Sequence, residues 1–239
     1  MEAGAQGRAG PDRVFSFRDA LRESRFLAGT AGLSALAPAV LLTVSAFIWA
    51  WPPPMADGDT VREIVAIASA YAREHWLWVG LCLFLGTAGS LAFLRALLAP
   101  DEGAGASAAA ALRALPAYAA ASIIAAILIL AGAVLLLVPG FYLSARLAPL
   151  GAVAAFETPR GPLEMILRTF DLTRNLGWRI CLYQLVVTGA AYGVGLSLPA
   201  ETSPLFTALV DGASGLFWLV IQAGLYRHLS ASAPPTSGT

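Results

Sequence analysis

Residues 137–179 read LVPGFYLSARLAPLGAVAAFETPRGPLEMILRTFDLTRNLGWR. A Pro-Gly pair opens the stretch, an arginine interrupts an apolar run, and a charged amphipathic segment follows ahead of the next apolar run. That order of parts suits an integral membrane protein. The apolar run 140–157 has enough helical rise for a short span, and Arg146 is a charge that lipid tolerates only with a partner. In 161–174, Leu163, Ile166, Leu167 and Phe170 recur at helical spacing. Glu164, Arg168 and Asp171 form a second stripe suited to ion pairs one turn apart, and Pro162 suits a first helical turn. This segment is expected to lie as a helix on the inner membrane face or against the protein's own cytoplasmic side.

The rest of the chain fits the same solvent. It has 239 residues, 58% hydrophobic and 13% charged, with mean hydropathy +0.71. Soluble domains carry about a quarter charged residues. Net charge is zero, which argues against nucleic acid as a partner. All 15 basic residues are arginine.

Six apolar runs can each cross a bilayer core of about 30 Å: 29–51, 76–98, 117–138, 140–157, 178–198 and 204–227. Trp49, Trp51, Trp76, Trp78 and Trp178 stand at their ends, where an amphipathic ring is best placed. The expected fold is all-α: a polytopic membrane helical bundle of about six transmembrane helices with cytoplasmic amphipathic helices. Residues 1–28 form a cytoplasmic N-terminal segment, 29–229 the membrane domain, and 230–239 a disordered Ser/Ala/Pro tail. Residues 1–27 lack the apolar centre of a signal peptide, so the first span acts as an uncleaved anchor. With six spans, Arg8, Arg13, Arg18, Arg22, Arg25, Arg95, Arg113, Arg160, Arg168, Arg174, Arg179 and Arg227 fall on one side, against Arg62 and Arg73 on the other. That bias places both termini in the cytoplasm. In a rival reading, 117–157 is one broken helix with a re-entrant part, giving five spans.

Polar residues inside the apolar runs are the candidate site. Arg146 and Asp211 each lie about 9–10 Å below the outer end of their spans, with opposite charge, and are expected to pair. Gln184 and Gln222 lie at matching depths on the inner side and are suited to a hydrogen bond between helices. Gly189 and Gly193 form a small-xxx-small pair. Cys82 and Cys181 sit in apolar runs as packing residues. His75 and His228 are far apart in sequence, and the outer acids Asp57, Asp59, Glu63 and Glu74 follow no ligand spacing, so no metal or cofactor is expected. No Walker, dinucleotide-binding, HExxH or GxSxG motif occurs, so no catalytic residue is assigned. Residues 14–27 align with 161–174: Phe17, Ala20, Leu21 and Ser24 match Leu163, Ile166, Leu167 and Phe170. The match suggests a duplicated unit of surface helix followed by span.

The stretch from Val138 to Trp178 resembles a bacterial family of six-span proteins. That family includes the membrane domain of some glycerophosphodiester phosphodiesterases and stand-alone inner-membrane proteins. Pro139-Gly140-Phe141-Tyr142, Arg146-Leu147-Ala148-Pro149, Glu157 and Gly161-Pro162-Leu163-Glu164 carry the resemblance, with Arg168-Thr169-Phe170-Asp171-Leu172-Thr173. Thr169 and Phe170 depart mildly from the family's usual serine and tryptophan. The resemblance implies a membrane domain of the bacterial inner membrane without a hydrolase attached. It transfers no catalytic role. The function expected is a non-enzymatic scaffold or lipid-handling accessory of the cell envelope, with membrane lipids and other envelope proteins as partners. The alternative is a small transporter or lipid translocator using Arg146 and Asp211.

Overall fold

The computed structural model describes residues 17–30, 61–157, 161–174, 176–196 and 204–232. Every regular element among them is a helix: α1 Phe17–Thr30, α2 Val61–Glu74, α3 Trp76–Leu98, α4 Ala104–Leu135, α5 Leu137–Leu147, α6 Leu150–Phe156, α7 Pro162–Leu172, α8 Gly177–Leu196 and α9 Pro204–Ser232. Three helical stretches are long and apolar enough to cross a membrane: Trp76–Leu98, Ala104–Leu135 and the α5–α6 pair, Leu137–Phe156. The apolar runs at 178–198 and 204–227 coincide with α8 and α9. Residues 31–51 of the first expected span lie outside the described residues.

Four boundaries differ from expectation. The alanine-rich segment 104–116 is helical and extends α4 toward its N-terminus. Alanine is the strongest helix former, and that outweighs the two glycines nearby. Residues 61–74, expected as loop, form α2. The tail is helical through Ser232. The turn assigned to Pro139-Gly140 lies earlier, at Leu136, whose extended backbone (φ −161°, ψ 133°) separates α4 from α5. Pro139 sits in the first turn of α5, where its missing N–H costs nothing. Gly140 serves packing: a Cβ there would sit 2.6 Å from the backbone nitrogen of Ala133. The α5–α6 pair therefore folds back on α4 as a close helical hairpin.

Most of the core lies where α3, α4, α6, α7, α8 and α9 meet. Leu91, Leu94, Leu97, Val153, Met165, Ile180 and Leu225 are almost fully buried there, with Cys181 in the same cluster. Away from it the surface is apolar. Ile123, Ile127 and Leu130 on α4 are exposed, and residues 134–138 around the turn are between 60% and 79% exposed. An apolar surface this continuous is compatible with lipid and not with water. The expected close approach at Gly189 and Gly193 does not occur among the described residues. A Cβ on either would meet nothing within 4 Å. The tight contacts fall instead at Gly132 and Gly140, and at Gly177 against Tyr142.

Candidate functional site: polar groups within the helix bundle

Arg146 stands in the last turn of α5, and its partners come from α7. Nη2 donates to the carbonyl of Phe170 at 2.7 Å, and Nε donates to Thr173 Oγ1 at 3.2 Å. The Phe170 carbonyl belongs to the final turn of α7, where backbone acceptors lack intrahelical donors. Thr169 and Asp171 have their carbonyls taken by the N–H groups of Thr173 and Arg174, while Phe170 has no backbone donor among the described residues and a 3.3 Å contact from the Thr173 hydroxyl. No basic residue stands in the last turn of α7. Arg146 thus supplies the cation that a helix C-terminus favours. The Phe170 ring lies 4.6 Å from the guanidinium carbon and the Tyr142 ring 6.0 Å, adding cation–π attraction. The side chain of Asp211, the expected partner, lies outside the described residues.

Glu157 ends α6 and joins three elements. Arg168 of α7 donates Nε to both carboxylate oxygens, at 3.1 and 2.9 Å, and Tyr226 of α9 donates its hydroxyl at 3.0 Å. The Phe156 and Tyr226 rings meet edge to face at 6.0 Å. Arg168 was expected to pair within its own helix, and it pairs across to Glu157 instead. Its bonds fix the geometry of α7. The path from Arg146 to Glu157 covers about 16 Å at 1.5 Å per residue, and α7 is tied at both points. Within α7, Met165, Ile166, Thr169 and Leu172 face inward and Leu163 and Leu167 are exposed. Arg146 thereby meets the C-terminal end of α7.

Arg95, in the last turn of α3, repeats the device. Nη1 donates to the Ala155 carbonyl at 2.8 Å, again an acceptor in the final turn of a helix, α6. Nε and Nη2 each donate to Glu102 at 2.8 Å. Those hydrogen bonds hold the Glu102 carboxyl below the usual carboxylate range, against the opposing effect of burial. Beside this clamp lies a hollow of about 280 Å³, floored by alanines of α4 and α6 and edged by Arg95, Arg113 and Glu157.

A second hollow of about 280 Å³ lies between α4, α5, α8 and α9. Tyr118, Ser122, Ser144, Gln184, Trp218 and Gln222 line it. Gln184 Nε2 donates to Ser144 Oγ at 3.3 Å, and Gln184 Oε1 has no protein partner. The two glutamines thus reach one cavity, and the hydrogen bond of Gln184 goes to Ser144. Tyr118 and the two serines were not singled out in the sequence. Small hydroxyls scattered through apolar helices carry no pattern until the helices are placed. Among the described residues no three His, Cys, Asp or Glu side chains come together. His75 stacks on Tyr71, and its Nδ1 lies 3.3 Å from the Tyr71 carbonyl.

The chain matches no family model, no curated protein and no solved structure. Its function is argued from these groups.

Proposed function

We propose that this chain is a non-enzymatic membrane protein that handles lipids as an accessory of the cell envelope. One observation carries the reading. Arg146, the cation inside the α5–α6 stretch, is consumed by architecture: it caps α7 and is flanked by two aromatic rings. A translocation site built on Arg146 needs that charge to face open space, and the hollows described above are lined by other residues. The described carboxylates Glu102 and Glu157 are likewise bound by arginines, which leaves neither poised as a general base. The resemblance of 138–178 to the membrane domain of glycerophosphodiester phosphodiesterases supports a six-span protein of the bacterial inner membrane with cytoplasmic termini.

Extraction in mild detergent, with mass spectrometry of whatever copurifies, tests the reading. A stoichiometric lipid is the expected result. Turnover of an added phosphodiester, lost on mutating Glu157, would overturn it. A transport reading draws on the neutral cavity at Gln184 and Gln222, where the Gln184 carbonyl oxygen lacks a protein donor. It predicts solute flux in proteoliposomes that falls in Gln184→Leu.

A further inference from the structure

Helix α1 separates its charges. Arg18, Arg22 and Arg25 recur at i, i+4 and i+7 and so form one stripe. The acids fall one position later, and one of them, Glu23, tethers α1 to α9. Its Oε1 lies 2.8 Å from Arg227 Nε, and the Arg227 guanidinium rests 5.5 Å from the Phe26 ring. Ser24 and Leu27 are buried beneath. With the helix held by that face, the arginine stripe edges a hollow of about 730 Å³ between α1 and α9. Phe217, Val220 and Ile221 form its apolar floor. No acid lines it among the described residues, so the lining carries three positive charges and no negative one.

We infer that this hollow binds the phosphate of an anionic phospholipid from the membrane in which the chain sits, with the lipid's upper acyl carbons on the Phe217–Ile221 floor. Guanidinium groups recognise phosphate through paired, charge-assisted hydrogen bonds. A volume in the small-molecule range holds a phosphoglycerol headgroup together with the first acyl carbons. The sequence concealed the site, because Asp19 and Glu23 nearly balance the arginines of α1. The fold uses Glu23 elsewhere, and Asp19 is not among the residues that line the hollow.

The inference rests on the lipid-handling reading and is tested separately from it. The full chain is placed in nanodiscs of equal phosphatidylglycerol and phosphatidylcholine, re-extracted, and its retained lipids are quantified. Wild type is expected to retain phosphatidylglycerol over phosphatidylcholine by about tenfold, the scale of one charge-assisted contact pair. Arg18→Gln/Arg22→Gln/Arg25→Gln is expected to erase that preference. Arg113→Gln, at the other arginine-edged hollow, is expected to keep it. Equal retention of both lipids by wild type overturns the site, as does an unchanged preference in the triple variant. Displacement of the lipid by millimolar inorganic phosphate also overturns it, showing a small-anion site. Should the triple glutamine variant misfold, a salt titration of wild type decides: the preference must fall with ionic strength, and a salt-independent preference rejects the site. A lipid that copurifies with selectivity indifferent to these arginines leaves the general reading standing and removes only this site.

Discussion

Arg146 and Glu157 stand about 16 Å apart along the same helical path, and the protein satisfies them differently. Glu157, at the end of α6, takes a charged partner, Arg168, with both side chains about a quarter exposed. Arg146, inside the path, takes no described carboxylate; it is met by a backbone carbonyl, a threonine hydroxyl and two rings. Burying a second formal charge costs several kcal/mol of desolvation. A helix end offers an oriented acceptor that is already out of water, so no further ion has to be buried. The comparison suggests a rule for this bundle: ion pairs at the polar end, helix ends as partners further in. Arg95 fits both halves, with Glu102 on one side and the Ala155 carbonyl on the other.

The largest effect is expected from Arg146→Met, which leaves the Phe170 carbonyl only the long Thr173 hydroxyl contact at 3.3 Å. A loss of about 2–4 kcal/mol is expected, the range for a buried polar group stripped of a charged partner. Unfolding in mixed micelles followed by circular dichroism measures it. Arg146→Lys should recover part of the loss, since an ammonium keeps the charge without the planar fork. Glu157→Gln comes next, at about 1 kcal/mol, because partial exposure screens the pair and glutamine still accepts from Tyr226. If Glu157→Gln proves more damaging than Arg146→Met, the depth rule fails. Tyr226→Phe should cost about 0.5–1.5 kcal/mol, the value of one hydrogen bond. In a double-mutant cycle it should be non-additive with Glu157→Ala, which removes the acceptor. Full additivity would mean that the hydroxyl bond contributes nothing to the hub.

The smallest effect concerns pH. Arg95 lowers the folded-state pKa of Glu102 below its unfolded value. The stabilisation from ionised Glu102 is therefore complete above the ordinary carboxylate range and is lost as pH falls through the lowered pKa. The difference in melting midpoint between wild type and Glu102→Gln should close as the sample is acidified. A difference that persists at low pH would show that the carboxyl acts through shape instead of charge.

The helix-rich membrane character was legible because it rests on long apolar runs and Pro162-type start signals. The candidate site was legible by half. Arg146 stood out as a charge in an apolar run, yet its partner did not, because a backbone carbonyl at a helix end has no side-chain signature. Charge complementarity pointed to Asp211, whereas the described bonds of Arg146 go to the end of α7. Pro139-Gly140 shows the same limit. Both residues have two uses, turn and helix start for proline, turn and close approach for glycine, and only the position of α4 selects between them. The stripe on 161–174 was real, but its inner face is Met165, Ile166, Thr169 and Leu172, shifted from the expected set by the tie between Arg168 and Glu157.

The hairpin of α4 and α5 has a consequence for how the chain enters the bilayer. Between Arg113 and Arg146 no residue carries a charge. At the turn, the Leu136 amide is bonded to the Gly132 carbonyl and the flanking side chains are apolar. No charged side chain has to be dragged through the hydrocarbon when the tip crosses. The two helices can therefore insert together in one event, already packed glycine to glycine, with Arg146 taken up by the end of α7.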